Sequence, residues 1–375
     1  MIVRTTADMV ESIKRVRINH RTYEQVVSDI HQQATVLEPG ELMLIVGPSR
    51  VGKDRAVWDA LKLIVGKQAT TSSTRSFVIV TCENAQSHGE FSTRGFMLAA
   101  CQAIDHPIYG QRPRDEAAAL RIAALIARTS EAVLREAFET GLKALSVKFL
   151  VFNEAHHVGY MKGGDPAAAK VLDSWKCLAS KVGVVLILVG SYKLFELINL
   201  VPHLVGRQRP IEFPRYREAS ADDVAAFESI LVAFSELLRF SDQGTSLRSW
   251  NKFLFENSLG CIGHLSLWLR SALASMESRG EKYLSEAVLK RTSFLPAQLV
   301  ALAREITNGE LLMYGDPSMG KIDTQRMGGS GASPSSEKGI VATVKTAEPS
   351  VDGTTKRRRT PFKRKSIRNP RNGRI

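Results

Sequence analysis

One glycine-rich turn carries the residues best suited to binding phosphate. The turn reads Gly47-Pro48-Ser49-Arg50-Val51-Gly52-Lys53-Asp54 and fits the spacing G-x-x-x-x-G-K. Glycines let successive backbone N–H groups curl around a phosphate, a helix N-terminus adds partial positive charge, and the lysine reaches the outer phosphates. The apolar run Glu41–Val46 precedes this turn, and a helical pattern follows it. Because strand, turn and helix occur in the order that the motif requires, the segment predicts a nucleotide-binding loop.

Two positions depart from the usual pattern of such a site. Asp54 stands where a Ser or Thr hydroxyl normally contacts Mg²⁺, and the strand Phe149–Phe152 ends in Asn153-Glu154 rather than in Asp-Glu. The Asp54 carboxylate and the Asn153 amide are both oxygen ligands suited to Mg²⁺, and together they would preserve the local charge with the two positions exchanged. One argument opposes this exchange: the Asp54 carboxylate would lie close to the β-phosphate of the nucleotide. Two anions about 4 Å apart repel by about 4 kcal/mol at an effective dielectric of ~20, unless the metal lies between them. We expect ATP and Mg²⁺ binding, with slow hydrolysis as an open alternative.

Further groups are spaced to act on the third phosphate. Glu154 can orient and deprotonate a water molecule, and Ser191, after the predicted strand Gly183–Val189, can hydrogen-bond that water or the phosphate. Arg207 and Arg209 precede an extended segment and can contact the third phosphate of a neighbouring subunit. Each group also has a purely structural alternative. Glu154 would be an exposed acid at a strand end, Ser191 part of an ordinary turn, and the two arginines part of a solvated basic turn.

The sequence gives little support for a zinc site or for disulfides. His156 and His157 are adjacent, so we expect their side chains to diverge, and no third ligand is expected beside them. The four cysteines are far apart and lack C-x-x-C spacing.

Short apolar strands alternate with helices up to about residue 219, which predicts a parallel sheet covered by helices on both faces. The predicted strands are Glu41–Val46, Ser76–Cys82, Phe149–Phe152, Gly183–Val189 and Pro210–Pro214. The predicted helices include Phe96–Ile104, Glu116–Leu145, Ala167–Ser180, Ala225–Leu238, Leu247–Glu256, Gly263–Met276 and Ser285–Ile306. We therefore expect an N-terminal helical arm (1–37), an α/β nucleotide-binding domain (38–219), an all-α lid (220–313) and a disordered linker with a basic tail (314–375).

The positive charge is concentrated in that tail. The chain has 51 Lys and Arg against 38 Asp and Glu, a formal net charge of +13. Ten cations and no acid follow residue 353, so the remaining 41 basic and 38 acidic residues give the preceding 353 positions a charge of only +3. The ten are Lys356, Arg357, Arg358, Arg359, Lys363, Arg364, Lys365, Arg368, Arg371 and Arg374. Such a segment contacts either DNA phosphates or an acidic protein surface.

Within the body, four cations near the region after the second strand are candidates for contacting DNA, with a solvated charged surface as the alternative. They are Arg94, Arg112, Arg114 and Lys143. No apolar run approaches the ~20 residues that span a membrane, and the N-terminus lacks the pattern of a secretory signal. We expect no membrane association.

Six segments, taken in order, resemble the TniB/TnsC family of transposon AAA+ ATPases, which is related to the B protein of phage Mu. The resemblance covers about residues 10–310. It rests on Arg15–Ile18, IVGPSRVGKD, FNEAHH, Val189–Ser191, Arg207–Tyr216 and Ser258–Leu269. It implies an AAA+ P-loop fold and an ATP-dependent homo-oligomer, ring or filament, that assembles on duplex DNA and connects a target-site selection protein to the transposase. It also implies a cytoplasmic protein of bacterial type, associated with the nucleoid.

The resemblance assigns roles to individual residues. It implies that Lys53 holds phosphates, that Glu154 is the catalytic carboxylate, that Ser191 is the sensor, and that Arg207 or Arg209 acts on the neighbouring subunit. His264 stands where many AAA+ proteins have a sensing Arg. Two alternatives remain: a nucleotide-dependent scaffold that does not hydrolyse ATP, and another DNA-associated P-loop ATPase such as a helicase loader or a partition protein.

Overall fold

The computed structural model describes residues 5–66, 74–84, 89–111, 113–241 and 244–315. Their strands form one five-stranded sheet in the order β2-β3-β4-β1-β5, and every neighbouring pair is parallel. The strands are β1 Leu42–Val46, β2 Phe77–Thr81, β3 Phe149–Asn153, β4 Val185–Gly190 and β5 Gln208–Glu212. The parallel sheet expected from the sequence is confirmed.

Fourteen α-helices lie within the described ranges. Those before β5 are α1 Thr6–Arg15, α2 Arg21–Val36, α3 Lys53–Val65, α4 Thr93–Ala103, α5 Glu116–Arg128, α6 Glu131–Ala144, α7 Gly164–Val182, α8 Tyr192–Asn199 and α9 Pro202–Val205. Those after β5 are α10 Ala221–Ser235, α11 Asn251–Ser258, α12 Ile262–Ser278, α13 Glu286–Arg291 and α14 Pro296–Tyr314. Two 3₁₀ helices, Ala155–Tyr160 and Leu247–Trp250, complete the order.

The strand β1 shows how the sheet is covered on both faces. All five of its residues are buried, and successive side chains point to opposite faces. Leu42, Leu44 and Val46 join a core with α4, α6, α7 and α8, whereas Met43 and Ile45 join a second core with α2 and α3. A strand that is buried on both faces reads as a continuous apolar run, which is why ELMLIV identified it in the sequence.

The helices after β5 build a third core around Trp268 and Phe227, and α1 contributes Met9 and Ile13 to it. The last helix, α14, instead returns to the sheet, where Ile306 packs in the same core as Met43. A buried ion pair fixes this return, because the Arg215 guanidinium donates to both carboxylate oxygens of Glu310 at 3.0 and 3.2 Å. The side chain of Glu310 is fully buried and that of Arg215 is 8% exposed.

Two helices predicted as continuous are interrupted. The predicted helix Glu116–Leu145 is divided into α5 and α6 because the Ser130 side chain accepts the N–H of Val133 and so begins a new helix. The predicted helix Ser285–Ile306 ends at Arg291, and α14 begins at Pro296, whose fixed φ favours the first position of a helix.

Other expectations fall outside the described ranges. Residues 316–375, with the basic tail, and Arg112 lie there. Among the described helices, none is both long enough and apolar enough to cross a bilayer.

Candidate nucleotide site

The predicted phosphate loop lies between the end of β1 and the start of α3. It is tight at Gly47, where an added Cβ would come within 2.3 Å of the Phe213 carbonyl oxygen. At Gly52 the backbone adopts φ +107, a left-handed conformation that favours glycine. The two glycines of the motif are therefore required by the path of the chain, and α3 begins at Lys53 with its N-terminus facing the loop.

The Lys53 side chain is buried at the base of this loop, with 7% of the residue exposed. Its ammonium group donates to the carbonyl oxygens of Gly47 at 3.1 Å and Pro48 at 2.8 Å. Burial lowers the pKa of Lys53, while the carboxylates of Glu154 and Asp54 oppose that shift. The lysine thus lies in the electrostatic field of both Glu154 and Asp54.

The ends of β3 and β4 bring the other predicted groups to the same edge of the sheet. Asn153 ends β3, and Ser191 directly follows β4. The side-chain oxygen of Asn153 is buried and has no hydrogen-bond partner within the described part of the chain. A buried amide oxygen without a partner fits an oxygen-seeking cation or its water shell. Asp54, in the first turn of α3, is exposed.

Glu154 is held in an uncommon backbone conformation, with φ 54°. Its carboxylate lies 3.3 Å from the Nδ1 atom of His156, and that nitrogen also receives the backbone N–H of Ser191 at 3.3 Å. Burial, followed by the charges of His157 and Lys53, lowers the pKa of His156 to about 4. His156 therefore connects the two groups predicted to act on the third phosphate.

The expectation that no third ligand lies beside the adjacent histidines is wrong. One ligand atom from each of Glu154, His156 and His157 lies within 4.8 Å of the others. The two imidazole centroids are 4.5 Å apart, so the side chains do not diverge. The physical reason is the 3₁₀ turn that follows β3, in which neighbouring side chains stay closer than they would on a strand.

Arg207 and Arg209 lie at the opposite end of the sheet from the phosphate loop. Gln208, between them, pairs with Leu42 at the start of β1, whereas the loop follows the end of β1. Both arginines are exposed. Because the strands are parallel, a strand's length separates these arginines from Lys53 of the same chain.

The lid helix α12 begins directly on the phosphate loop. A Cβ added to Gly263 would come within 2.0 Å of the Arg50 carbonyl oxygen. The next residue, His264, is buried against Phe294, with ring centroids 5.8 Å apart. Its Nδ1 atom has no hydrogen-bond partner among the described residues, and burial lowers its pKa. His264 is therefore part of the packing between α12 and the segment that precedes α14.

A cavity of about 260 Å³, which no motif in the sequence indicates, lies beside the loop. The connection between α1 and α2 forms one wall, the loop a second and the start of α12 a third. Its lining includes Arg17, Ile18, His20, Tyr23, Arg50, Gly52, Arg55, Asp59, Ile262 and Ser266. The segment Arg15–Ile18, one of the six that resemble TniB/TnsC proteins, contributes Arg17 and Ile18 to this lining.

A second unpredicted feature is Glu305 on α14. It is half-buried, and burial raises its pKa while the charge of Lys53 lowers it. No local feature of the sequence indicates this proximity, because α14 reaches the loop only through the return of the chain to the sheet.

The candidate DNA-binding cations in the described ranges differ in their surroundings. Arg94 donates to the carbonyl oxygens of Thr129, at 3.0 Å, and Ile126, and so fixes the end of α5 to α4. Arg114 and Lys143 are exposed. Arg114 and Lys143 are therefore accessible to a ligand, whereas the Arg94 side chain is already hydrogen-bonded within the protein.

Comparisons with known proteins agree with this architecture. Residues 37–198 match the AAA domain family AAA_22. Two similar solved structures are the Aeropyrum pernix ORC2 protein with ADPNP and ADP, and the ORC1 protein of that organism in complex with DNA. The first is 14% identical, with a TM-score of 0.52 over 85% of this chain and 82% of that chain. The second is 15% identical, with a TM-score of 0.51 over 86% of this chain and 85% of that chain.

No curated protein matched the sequence. At these identities, the similarity to the two solved structures defines the fold alone. The fold is an AAA+ P-loop domain, a five-stranded parallel sheet flanked by helices, followed by a helical C-terminal part.

Proposed function

We propose that this chain is an ATP-dependent regulator of DNA transposition that oligomerises on duplex DNA and connects target-site selection to the recruitment and activation of a transposase. The observation that carries the nucleotide-dependent part is the position of Lys53. It is buried at the base of the loop, at the sheet edge where Glu154 and Ser191 also lie. In this proposal, the loop and Lys53 bind the phosphates of ATP, and the cavity beside the loop receives the base.

Mg²⁺ would be held by Asp54 and Asn153, and it would screen the charge of the phosphates. The unpartnered oxygen of Asn153 supports this assignment. Glu154 would orient the attacking water, and Ser191 would hydrogen-bond the third phosphate.

The arginines support assembly as a condition for turnover. Arg207 and Arg209 are exposed at the end of the sheet remote from the phosphate loop of their own chain. We infer that they act on the third phosphate of an adjacent copy, in which a guanidinium can neutralise developing charge. A ring or a filament provides this arrangement at every internal interface.

Duplex DNA, a transposase and a target-site selection protein are the proposed partners, on the strength of the six segments that resemble TniB/TnsC proteins. Arg94, Arg112, Arg114, Lys143 and the basic tail are the proposed contacts for DNA, with an acidic transposase surface as the other possible target of the tail. This function places the protein in the cytoplasm, with the nucleoid.

Negative-stain microscopy of the full chain tests the proposal. With duplex DNA and ATP or a non-hydrolysable analogue, we expect rings or filaments on the DNA, and without nucleotide we expect separate particles. Monomers under every condition would contradict assembly. A strand-transfer assay with the cognate transposase and target-site selection protein tests the transposition step, since it should require both this chain and ATP.

Asp54 and Asn153 favour one second candidate, a nucleotide-dependent scaffold that does not hydrolyse ATP. In that case, the site would act as a structural interface. Steady-state phosphate release in the presence of DNA separates the two candidates: release above that of a Glu154→Gln variant supports the ATPase, and equal rates support the scaffold.

A further inference from the structure

We propose that Glu154, His156 and His157 form a binding site for one transition-metal ion, with Zn²⁺ as the ion that suits it best. Two imidazoles and one carboxylate are a donor set that zinc sites in proteins use. Magnesium prefers oxygen ligands, so this site would discriminate against the ion that accompanies ATP.

The distances are close to those of a coordinated ion. Donor atoms around tetrahedral Zn²⁺ are about 3.4 Å apart, because each bond is about 2.1 Å long. The Glu154 carboxylate and the Nδ1 atom of His156 are already 3.3 Å apart. All three ligand atoms lie within 4.8 Å of one another, so the widest pair would need to approach by at most about 1.4 Å, within the reach of a side-chain rotation.

His157 is held in the form that a metal requires. Its Nδ1 atom is 2.7 Å from the Cys82 carbonyl oxygen. A carbonyl oxygen only accepts hydrogen bonds, so the proton lies on Nδ1 and the lone pair lies on Nε2. Metal-binding histidines generally donate their second N–H to a carbonyl or carboxylate in this way, which fixes both the tautomer and the ring orientation.

His156 supplies an independent argument, because its Nδ1 atom has two neighbours with conflicting demands. If Nδ1 accepts the N–H of Ser191, its single lone pair points to that donor, and the Glu154 carboxylate lies 3.3 Å away with no proton between the two acceptor atoms. If Nδ1 instead donates to Glu154, the Ser191 N–H loses this acceptor. A cation bound to Nδ1 and to the carboxylate would replace the contact between two acceptors with two coordinate bonds, and the Ser191 N–H would then lose Nδ1 as its acceptor.

Charges around the site act in both directions. Lys53 lies near His156 and disfavours a second cation, whereas Glu154 brings a compensating negative charge. Three protein ligands leave a fourth position of a tetrahedral ion open to water. The site therefore has the composition of an exchangeable metal site, with part of each ligand accessible to solvent.

Bound zinc would have a consequence that rests on the proposed function. It would engage the carboxylate that is proposed to orient the attacking water, and it would compete for the nitrogen that receives Ser191. Zinc should therefore suppress phosphate release while the loop and Lys53 still hold the nucleotide. The binding site itself does not depend on hydrolysis.

The first experiment measures binding by the full chain after chelator treatment and without nucleotide. Zn²⁺ is titrated against a chromophoric chelator, and Co²⁺ serves as the spectroscopic probe. We expect one ion per chain and the visible bands of tetrahedral Co²⁺. His157→Ala should weaken binding at least about 10-fold. The control His31→Ala, on α2, lies outside the only described group of three ligands and should leave binding unchanged.

His156→Asn is the second variant, and circular dichroism verifies folding of each. Equal zinc affinity in the wild type and in folded variants at both positions would overturn the proposal, as would the absence of a bound ion in the wild type. Phosphate release, measured at buffered free zinc, separates this inference from the proposed function. If zinc binds but neither the wild type nor the variants release phosphate, only the proposed hydrolysis is contradicted. If phosphate is released but no zinc binds, only the metal site is contradicted.

Discussion

Gly263 contacts the main chain of Arg50 so closely that one added methyl group would lie 2.0 Å from the Arg50 carbonyl oxygen. This contact joins the first turn of α12 to the phosphate loop without an intervening side chain. The first turn of α12 therefore packs directly against the main chain of the phosphate loop.

Gly263→Ala should separate the lid from the loop. Neither partner is a flexible side chain, so we expect a loss of about 1–3 kcal/mol in stability and about a 10-fold loss in nucleotide affinity. Thermal unfolding and titration with a fluorescent ATP analogue measure the two effects. Gly244→Ala is the matched control, because no described atom lies within 4 Å of its added Cβ. Equal affinities for the two variants would show that the lid contact does not support the loop.

Lys53→Met should lower ATP affinity by about 10- to 100-fold, the worth of one hydrogen bond to a charged group. Lys62→Met is the control on the same helix, since Lys62 is exposed and its ammonium group lies over the Trp58 ring, 4.8 Å from the centroid. Titration with a fluorescent ATP analogue measures both affinities.

The proposed metal ligands are tested by fluorescent-ATP titrations of the wild type with and without Mg²⁺. ATP affinity that does not change when Mg²⁺ is removed would argue against Asp54 and Asn153 as metal ligands.

Two inactive variants should complement each other if the arginines act between subunits. Glu154→Gln removes the proposed water-orienting group but keeps the arginines, and the double variant Arg207→Ala/Arg209→Ala does the reverse. Each alone should release little phosphate. Mixtures on DNA should recover part of the wild-type rate, because some interfaces combine an intact Glu154 on one subunit with an intact arginine pair on its neighbour. Mixtures as inactive as their components would exclude action between subunits.

The buried pair of Arg215 and Glu310 should control the docking of α14. Glu310→Ala leaves the Arg215 charge buried without its main partner, so we expect a loss of about 3–5 kcal/mol in the free energy of unfolding. Replacing both residues, as in Arg215→Met/Glu310→Leu, should recover much of that loss. Chemical denaturation measures both variants. A double variant no more stable than Glu310→Ala would indicate that the pair supplies more than charge compensation.

Acid should weaken the contact between α6 and α7. Burial alone would raise the pKa of Glu139, but Lys181 at 2.5 Å and Arg135 at 3.0 Å outweigh it and lower the pKa below 4.5. The stabilisation is therefore complete above that ordinary value and is lost as the pH falls through the lowered one.

Glu139→Gln should lower stability by about 1–2 kcal/mol at neutral pH. Its difference in stability from the wild type should shrink as the pH falls below the ordinary pKa of a glutamate and through the lowered pKa of Glu139. Thermal unfolding across this range measures the change, with the exposed Glu136→Gln on the same helix as control. A difference that is independent of pH would assign the effect to packing.

The sequence predicted the sheet because its signals are local. Strand β1 is buried on both faces and reads as an apolar run. The glycines of the loop mark positions where the backbone conformation or a close contact excludes a side chain. The division of the predicted helix Glu116–Leu145 also had a local signal, the capping Ser130, which the Ala- and Leu-rich composition on either side outweighed.

The remaining features of the site had no local signal. The approach of Gly263 to Arg50 and the position of Glu305 near Lys53 depend on how the chain returns after β5. The grouping of His156 with His157 depends on a 3₁₀ turn that alternation along a strand would not produce. Such relationships arise from tertiary packing, and helical or strand periodicity does not encode them.

The separation of Arg209 from the phosphate loop has a consequence for assemblies of different shape. If the arginines act between copies, subunits joined head to tail leave one loop without an arginine at the end of any open row. A closed ring leaves none. Phosphate release per subunit would then be lowest in short open rows and would rise with length toward the value of a ring. The rate of hydrolysis per subunit would thus report the length of the row and whether it has closed into a ring.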